Sequence, residues 1–122
     1  MIRLSQREFD GLVQQAYRQL PANVRQTLDN VDISVEERPS PEDFDAQSDE
    51  ATLFGLYTGV PLTERAGYEP ALPDRIIVFR RPILESCATT EEVVQEIRIT
   101  LWHEVGHFLG LDEDDLHRLG YG

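Results

Sequence analysis

The apolar positions fall into a helical stripe near the start of the chain, an alternating stretch after it, and a longer helical stripe near the end. Phe9, Leu12, Val13, Ala16, Tyr17 and Leu20 recur at spacings of three and four behind Ser5 and Glu8. Ser5 and Glu8 are spaced as a capping box, so an amphipathic helix is expected over residues 5–20, ended by Pro21. Residues around Val24 and Leu28 suit a short second helical piece. Val31, Ile33 and Val35 then alternate with polar neighbours, as a strand with one buried face does.

Residues 36–50 are rich in Pro, Ser and acid, with Phe44 as the one large apolar side chain, and read as an exposed loop. Leu53–Tyr57 and Arg75–Arg80 have the β-branched and aromatic character of strands. Residues 59–74 between them are punctuated by Pro and Gly. In the last third, Thr90 is the expected N-cap of a helix whose apolar faces come from Val93, Val94, Ile97, Leu101, Trp102, Val105 and Phe108. Gly110 is its stop signal, and Asp112 with Asp115 resembles a capping box for a short final helix through Leu119. The elements imply an α+β fold in one domain spanning residues 1–122, with a mixed sheet of three or four strands.

Charge removes several functional classes. With 23 acidic and 11 basic residues the formal charge is -12, so the chain lacks the cationic surface that a phosphate backbone or an anionic membrane requires. No run of about 18 apolar residues is present, and MIRLSQREFD carries charges where a secretory signal would be apolar, so a cytoplasmic location is expected. The single Cys87 has no partner for a disulfide or a cysteine-rich zinc site, and reads as a structural residue.

The chemistry is concentrated in His103-Glu104-Val105-Gly106-His107. Two histidines at i and i+4 of a helix project from one face a turn apart, so both imidazoles can reach one Zn²⁺. Glu104 stands beside them, where a carboxylate can act as general base on water at the metal's open position. With three histidines in 122 residues, chance would give this pattern in roughly one such composition in a hundred. A catalytic zinc takes a third protein ligand. The extended pattern HExxHxxGxxH puts that ligand at Glu113, after the turn allowed by Gly110. Asp112 and His117 are the alternatives: Asp112 is also a helix cap, and His117 also an exposed helix residue.

These residues resemble a family of very small bacterial zincin-like metallopeptidases. The similarity runs through the N-terminal helix, Leu53-Phe-Gly-Leu-Tyr-Thr-Gly-Val-Pro-Leu62, Leu72-Pro-Asp-Arg-Ile-Ile77, and Thr100-Leu-Trp-His-Glu-Val-Gly-His-Phe-Leu-Gly110 with the acidic cluster after it. The third-ligand position is often Asp in similar sequences and is Glu113 here. The resemblance implies a minimal zincin fold, a Zn²⁺ cofactor and hydrolysis of a peptide or protein substrate. By the same analogy the substrate lies along an edge strand, offered by Leu53–Tyr57 or by Arg75–Phe79. Tyr57, Tyr68 and Tyr121 are the available oxyanion donors. The only methionine is Met1, so the Met-turn of larger metzincins has no candidate. A second reading keeps the metal without the chemistry, as a regulatory or scaffolding module.

Overall fold

The computed structural model describes residues 2–41, 53–64 and 74–119. In chain order the elements are helix α1 (Gln6–Arg18), helix α2 (Ala22–Thr27), strand β1 (Val31–Glu36), strand β2 (Gly55–Thr58), strand β3 (Asp74–Phe79), helix α3 (Arg80–Ser86), helix α4 (Thr90–Phe108) and helix α5 (Glu113–Leu119). A 3₁₀ turn covers Leu62–Glu64. Tyr68 and Tyr121 lie outside the described residues, as does most of the acidic loop.

The capping box on α1 forms: Glu8 N–H donates to Ser5 Oγ at 3.1 Å and Ser5 N–H to Glu8 Oε1 at 3.0 Å. The N-cap of α4 is Thr89 rather than Thr90. Thr89 is extended and its Oγ1 accepts from Glu92 N–H at 3.1 Å, whereas Thr90 is already helical. The Glu92 carboxylate accepts in turn from Ala88 N–H at 2.8 Å.

The sheet order is β1-β3-β2, with β1 parallel and β2 antiparallel to β3. The expected strand at 75–79 is therefore the centre of the described sheet, and its backbone groups are spent on both neighbours. Among the described residues β2 is the edge strand beside α4, and it starts at Gly55 rather than Leu53. Phe79 N–H donates to Phe54 O at 2.8 Å. The antiparallel register then turns the backbone groups of Leu56 and Thr58 toward β3, and those of Gly55 and Tyr57 outward.

Val31, Ile33 and Val35 of β1, Ile76 and Val78 of β3 and Tyr57 of β2 share one face. That face packs on Phe9, Val13 and Ala16 of α1 and on Val93, Ile97, Leu101, Val105 and Phe108 of α4. Trp102 Nε1–H donates to Ala16 O at 3.2 Å and ties the two helices together.

Helix α3 begins where the pattern suggests a further strand residue. Pro82 occupies its first turn, where the missing N–H forfeits no helical bond. Ile83 and Leu84 are buried in the core, and the Arg80 guanidinium turns inward to the Glu37 carboxylate (2.8 Å) and the Leu4 carbonyl (2.5 Å). Seven residues are too few to display a helical period, which is why the pattern gave no sign of this element.

Three glycines set how closely elements approach α4. A Cβ on Gly55 would stand 2.6 Å from Thr100 Cγ2 and 3.4 Å from Glu104 Cγ, so only glycine lets β2 lie this close to the helix. A Cβ on Gly106 would overlap Leu116 Cδ2, the side chain that buries α5 against α4. Gly110 has φ +87°, and Thr63 of the 3₁₀ turn fills the space a side chain would take. Around this glycine, Leu111 N–H donates to Gly106 O at 2.9 Å and Gly110 N–H to His107 O at 3.0 Å. These bonds form a Schellman motif that reverses the chain after α4.

The Gly106→Ala variant is expected to lose about 1–3 kcal/mol of stability, because displacement of Leu116 outweighs the roughly 1 kcal/mol that alanine adds to a helix interior. Gly11→Ala in α1, where an added Cβ meets nothing within 4 Å, should instead gain about 0.5–1 kcal/mol. Denaturant unfolding of both variants checks the pair. A Gly106→Ala protein as stable as the parent would refute the close docking of α5.

Candidate metal centre

Around the circumference of α4, Thr100 and Glu104 come next to the core stripe, then His103 and His107, and then Gly106 beneath α5. The histidines therefore open into the crease between β2 and α5, both partly buried, while Glu104 is covered by β2. His103 Nε2 and His107 Nε2 are 3.0 Å apart, with ring planes inclined at 73°.

α5 completes the crease. Asp112 caps it as expected: Asp115 N–H donates to Asp112 Oδ1 at 2.8 Å and Asp112 N–H to Asp115 Oδ2 at 3.3 Å. Its carboxylate is thus engaged in the cap. Glu113, the first residue of the helix, brings Oε1 to 3.2 Å from His107 Nε2 and 3.5 Å from His103 Nε2. His117 is exposed in the last turn of α5 and is not among the groups that converge here. His103, Glu104 and His107 each offer a ligand atom within 4.8 Å of the others, so this group could hold a metal ion.

The geometry tests which atoms suit a single ion. A point equidistant from the two Nε2 atoms and Glu113 Oε1 lies about 1.9 Å from each, against zinc–nitrogen and zinc–oxygen bonds of about 2.0–2.2 Å. The three atoms are thus close enough together to serve one ion, and three protein ligands would leave a further position for water. Two imidazoles and a carboxylate also form a donor set that suits zinc.

Burial dominates the electrostatics of the crease. Burial beneath β2 pushes the Glu104 carboxyl up to about 7, only partly opposed by positive charge on His103 and by the Tyr57 backbone N–H, while the Glu113 carboxylate adds to the rise. Burial likewise holds the His107 imidazole below its ordinary value, with the charge of His103 in the same direction and Glu113 against. A neutral imidazole presents the lone pair that a metal requires.

Tyr57, one of the three tyrosines considered as oxyanion donors, has its hydroxyl committed elsewhere. It donates to Asp74 Oδ2 at 2.6 Å, and its ring packs edge-on against Phe108 at 6.0 Å. Asp74 is buried at the start of β3, and its carboxylate fills the space beside Gly59 (φ +146°). What the sequence did not reveal is Tyr57's second role, the backbone N–H turned toward Glu104. That contact depends on β2 being an edge strand. Cys87 is buried, 3.7 Å from Ser86 Oγ and away from the crease.

Among the described residues no helix is long and apolar enough to cross a membrane. No curated protein matches the chain. The fold is shared with a solved structure, a conserved hypothetical protein from Thermus thermophilus, at a TM-score of 0.58 and 20% identity over 87% of this chain and 94% of that one. Residues 28–122, which hold the whole sheet, α4 and α5, match the zincin-like metallopeptidase family. The chain belongs to that zincin-like metallopeptidase family.

Proposed function

We propose that the protein is a zinc-dependent metallopeptidase in which His103, His107 and Glu113 hold the ion and Glu104 is the general base. The observation that carries this reading is the near-equilateral triangle of the two Nε2 atoms and Glu113 Oε1, with the Glu104 carboxyl buried next to it. When bound, the ion would supply Lewis-acid polarisation of a peptide carbonyl and of the attacking water. Asp112 serves α5 as a cap, and so positions Glu113 rather than competing with it.

Glu104 takes a proton from the attacking water and passes it to the leaving amine. Without metal, burial raises the Glu104 carboxyl from its ordinary value of 4.5 to about 7. A divalent charge beside it would draw that value back down, so the occupied site keeps the carboxylate form available. The Tyr57 N–H orients the base, and the outward backbone groups of Gly55 offer an extended peptide a place to pair.

Elemental analysis and peptide hydrolysis together test this reading. Purified protein should carry about one zinc per chain. His103→Ala, His107→Ala and Glu113→Ala should bind zinc at least about tenfold more weakly. Glu104→Gln should keep zinc and lose hydrolysis by a factor of about 10²–10⁴. Hydrolysis undiminished in Glu104→Gln would remove the base assignment. Firm zinc binding with no hydrolysis of any peptide would favour the regulatory module instead.

A second prediction concerns the metal-free protein. Glu104 holds its proton more tightly folded than unfolded, so stability is lost as pH rises from about 4.5 to 7 and levels off above. His107, with its lowered value, acts oppositely, and contributes stability that is lost as pH falls below 6.5. Glu104→Gln removes only the first effect. Chelated Glu104→Gln should therefore be the more stable protein at pH 8, by at most about 3–4 kcal/mol at roughly 1.4 kcal/mol per pKa unit. The advantage should vanish below about pH 5. Parallel unfolding curves for the two proteins across this range would show that Glu104 is not desolvated.

A further inference from the structure

A groove of about 600 Å³ runs from Glu104 and His107 along the outer side of β2 to the Gly110 turn. Its walls are of two kinds. Leu56, Tyr57, Pro61 and Leu111 provide apolar surface, and Glu64 and Asp112 stand on it as carboxylates. No arginine or lysine lines it among the described residues, and neither Glu64 nor Asp112 pairs with a cation there. The 3₁₀ turn at Leu62–Glu64 is fixed in place by Thr63 seated on Gly110, so Glu64 faces the metal helix from a wall with defined packing.

We propose that this groove selects an extended peptide segment with an Arg or Lys side chain next to the bond that is cut, its methylenes on Leu56, Pro61 and Leu111 and its cationic end between Glu64 and Asp112. The inference rests on the metallopeptidase reading for the cutting, but not for the recognition. Long cationic side chains cover apolar surface with their stems while keeping the head near charge and water, which this combination of walls accommodates. Two carboxylates in a groove with no basic side chain among the described lining residues also attract cationic segments ahead of docking. An acidic or purely apolar side chain would leave both carboxylates without a counter-charge.

The test uses zinc-loaded protein and three blocked, Ala-based octapeptides that differ at one central position, Arg, Gln or Glu, with dissociation constants from NMR titration at physiological salt. Each exposed ion pair is worth a factor of about 1.5–5, so the Arg peptide should bind about tenfold more tightly than the Gln peptide and the Glu peptide most weakly. The Glu64→Gln variant, which leaves the α5 cap and the metal residues untouched, should reduce the Arg-over-Gln preference to within about threefold. Its melting temperature and zinc content should be unchanged. Neutralising two remote exposed acids, Asp29→Asn and Glu91→Gln, should leave the preference intact.

Equal binding of the three peptides would overturn the proposal. So would a preference that survives the groove variant or falls equally in the remote variant, which would trace it to the overall charge of -12. Binding is read in the zinc-loaded Glu104→Gln protein, without turnover, and cleavage of the same peptides in the parent protein. Arg preference without cleavage would therefore remove the enzyme reading alone, and cleavage of all three peptides at equal rates would remove the groove assignment alone.

Discussion

The whole site depends on how closely two elements can lie against helix α4. That distance is set by the absence of side chains at Gly55 and Gly106. At Gly55 the strand β2 settles onto Thr100 and Glu104, which buries the Glu104 carboxyl and brings the Tyr57 N–H to it. At Gly106 the side chain of Leu116 enters the helix surface, and α5 comes down with Glu113 at its first turn. The histidines need no such help, since their spacing on one helix aligns them. The approach of Glu113 and the burial of Glu104 are therefore packing outcomes. They follow from two glycines that cost the strand and helix some local stability.

Those same contacts explain why so much of the candidate chemistry involves groups that are neutral without metal. Under β2 the Glu104 carboxyl loses water, and in the crease the His107 imidazole does too, so each is pushed toward its uncharged form. On the proposed reading a divalent ion would reverse the balance for the carboxylates and accept the imidazole lone pairs. The polar cost of building the crease would then be recovered when it is filled. Capping reinforces the arrangement. Asp112 and Asp115 hold the start of α5 by two backbone bonds, so Glu113 projects from an ordered first turn rather than from a loose acidic tail.

Local features of the sequence were legible because they depend on neighbours in the chain. Ser5 and Glu8, the apolar stripes of α1 and α4, the histidine pair and the Asp112–Asp115 cap all act within four residues. The α+β mixture followed from them, and the position of Glu113 followed from a motif offset. The order of the sheet did not, because nothing in Arg75–Phe79 or Gly55–Thr58 records that the first is central and the second an edge. Nor did α3, whose identity rests on Pro82 tolerated in a first turn and on Ile83 and Leu84 meeting a core assembled from distant elements.

One sign was present and pointed further than its motif. A glycine inside a 19-residue helix sits where alanine would be favoured by roughly 1 kcal/mol, so Gly106 signalled close approach by another element before any fold was known. Gly55 within a strand carried the same signal. Taken together, the two glycines say that α4 is flanked closely on both sides of its histidine face. On the proposed reading, that restricts a third ligand to a segment that can reach the flank from Gly106 outward. Position 113, three residues past a Schellman turn, satisfies it with a single reversal of the chain. His117 lies a full helical turn farther along α5, on a side chain exposed to solvent. The helix-breaking residues of this protein are thus informative about tertiary contacts, because each stands where local preference alone would have chosen something larger.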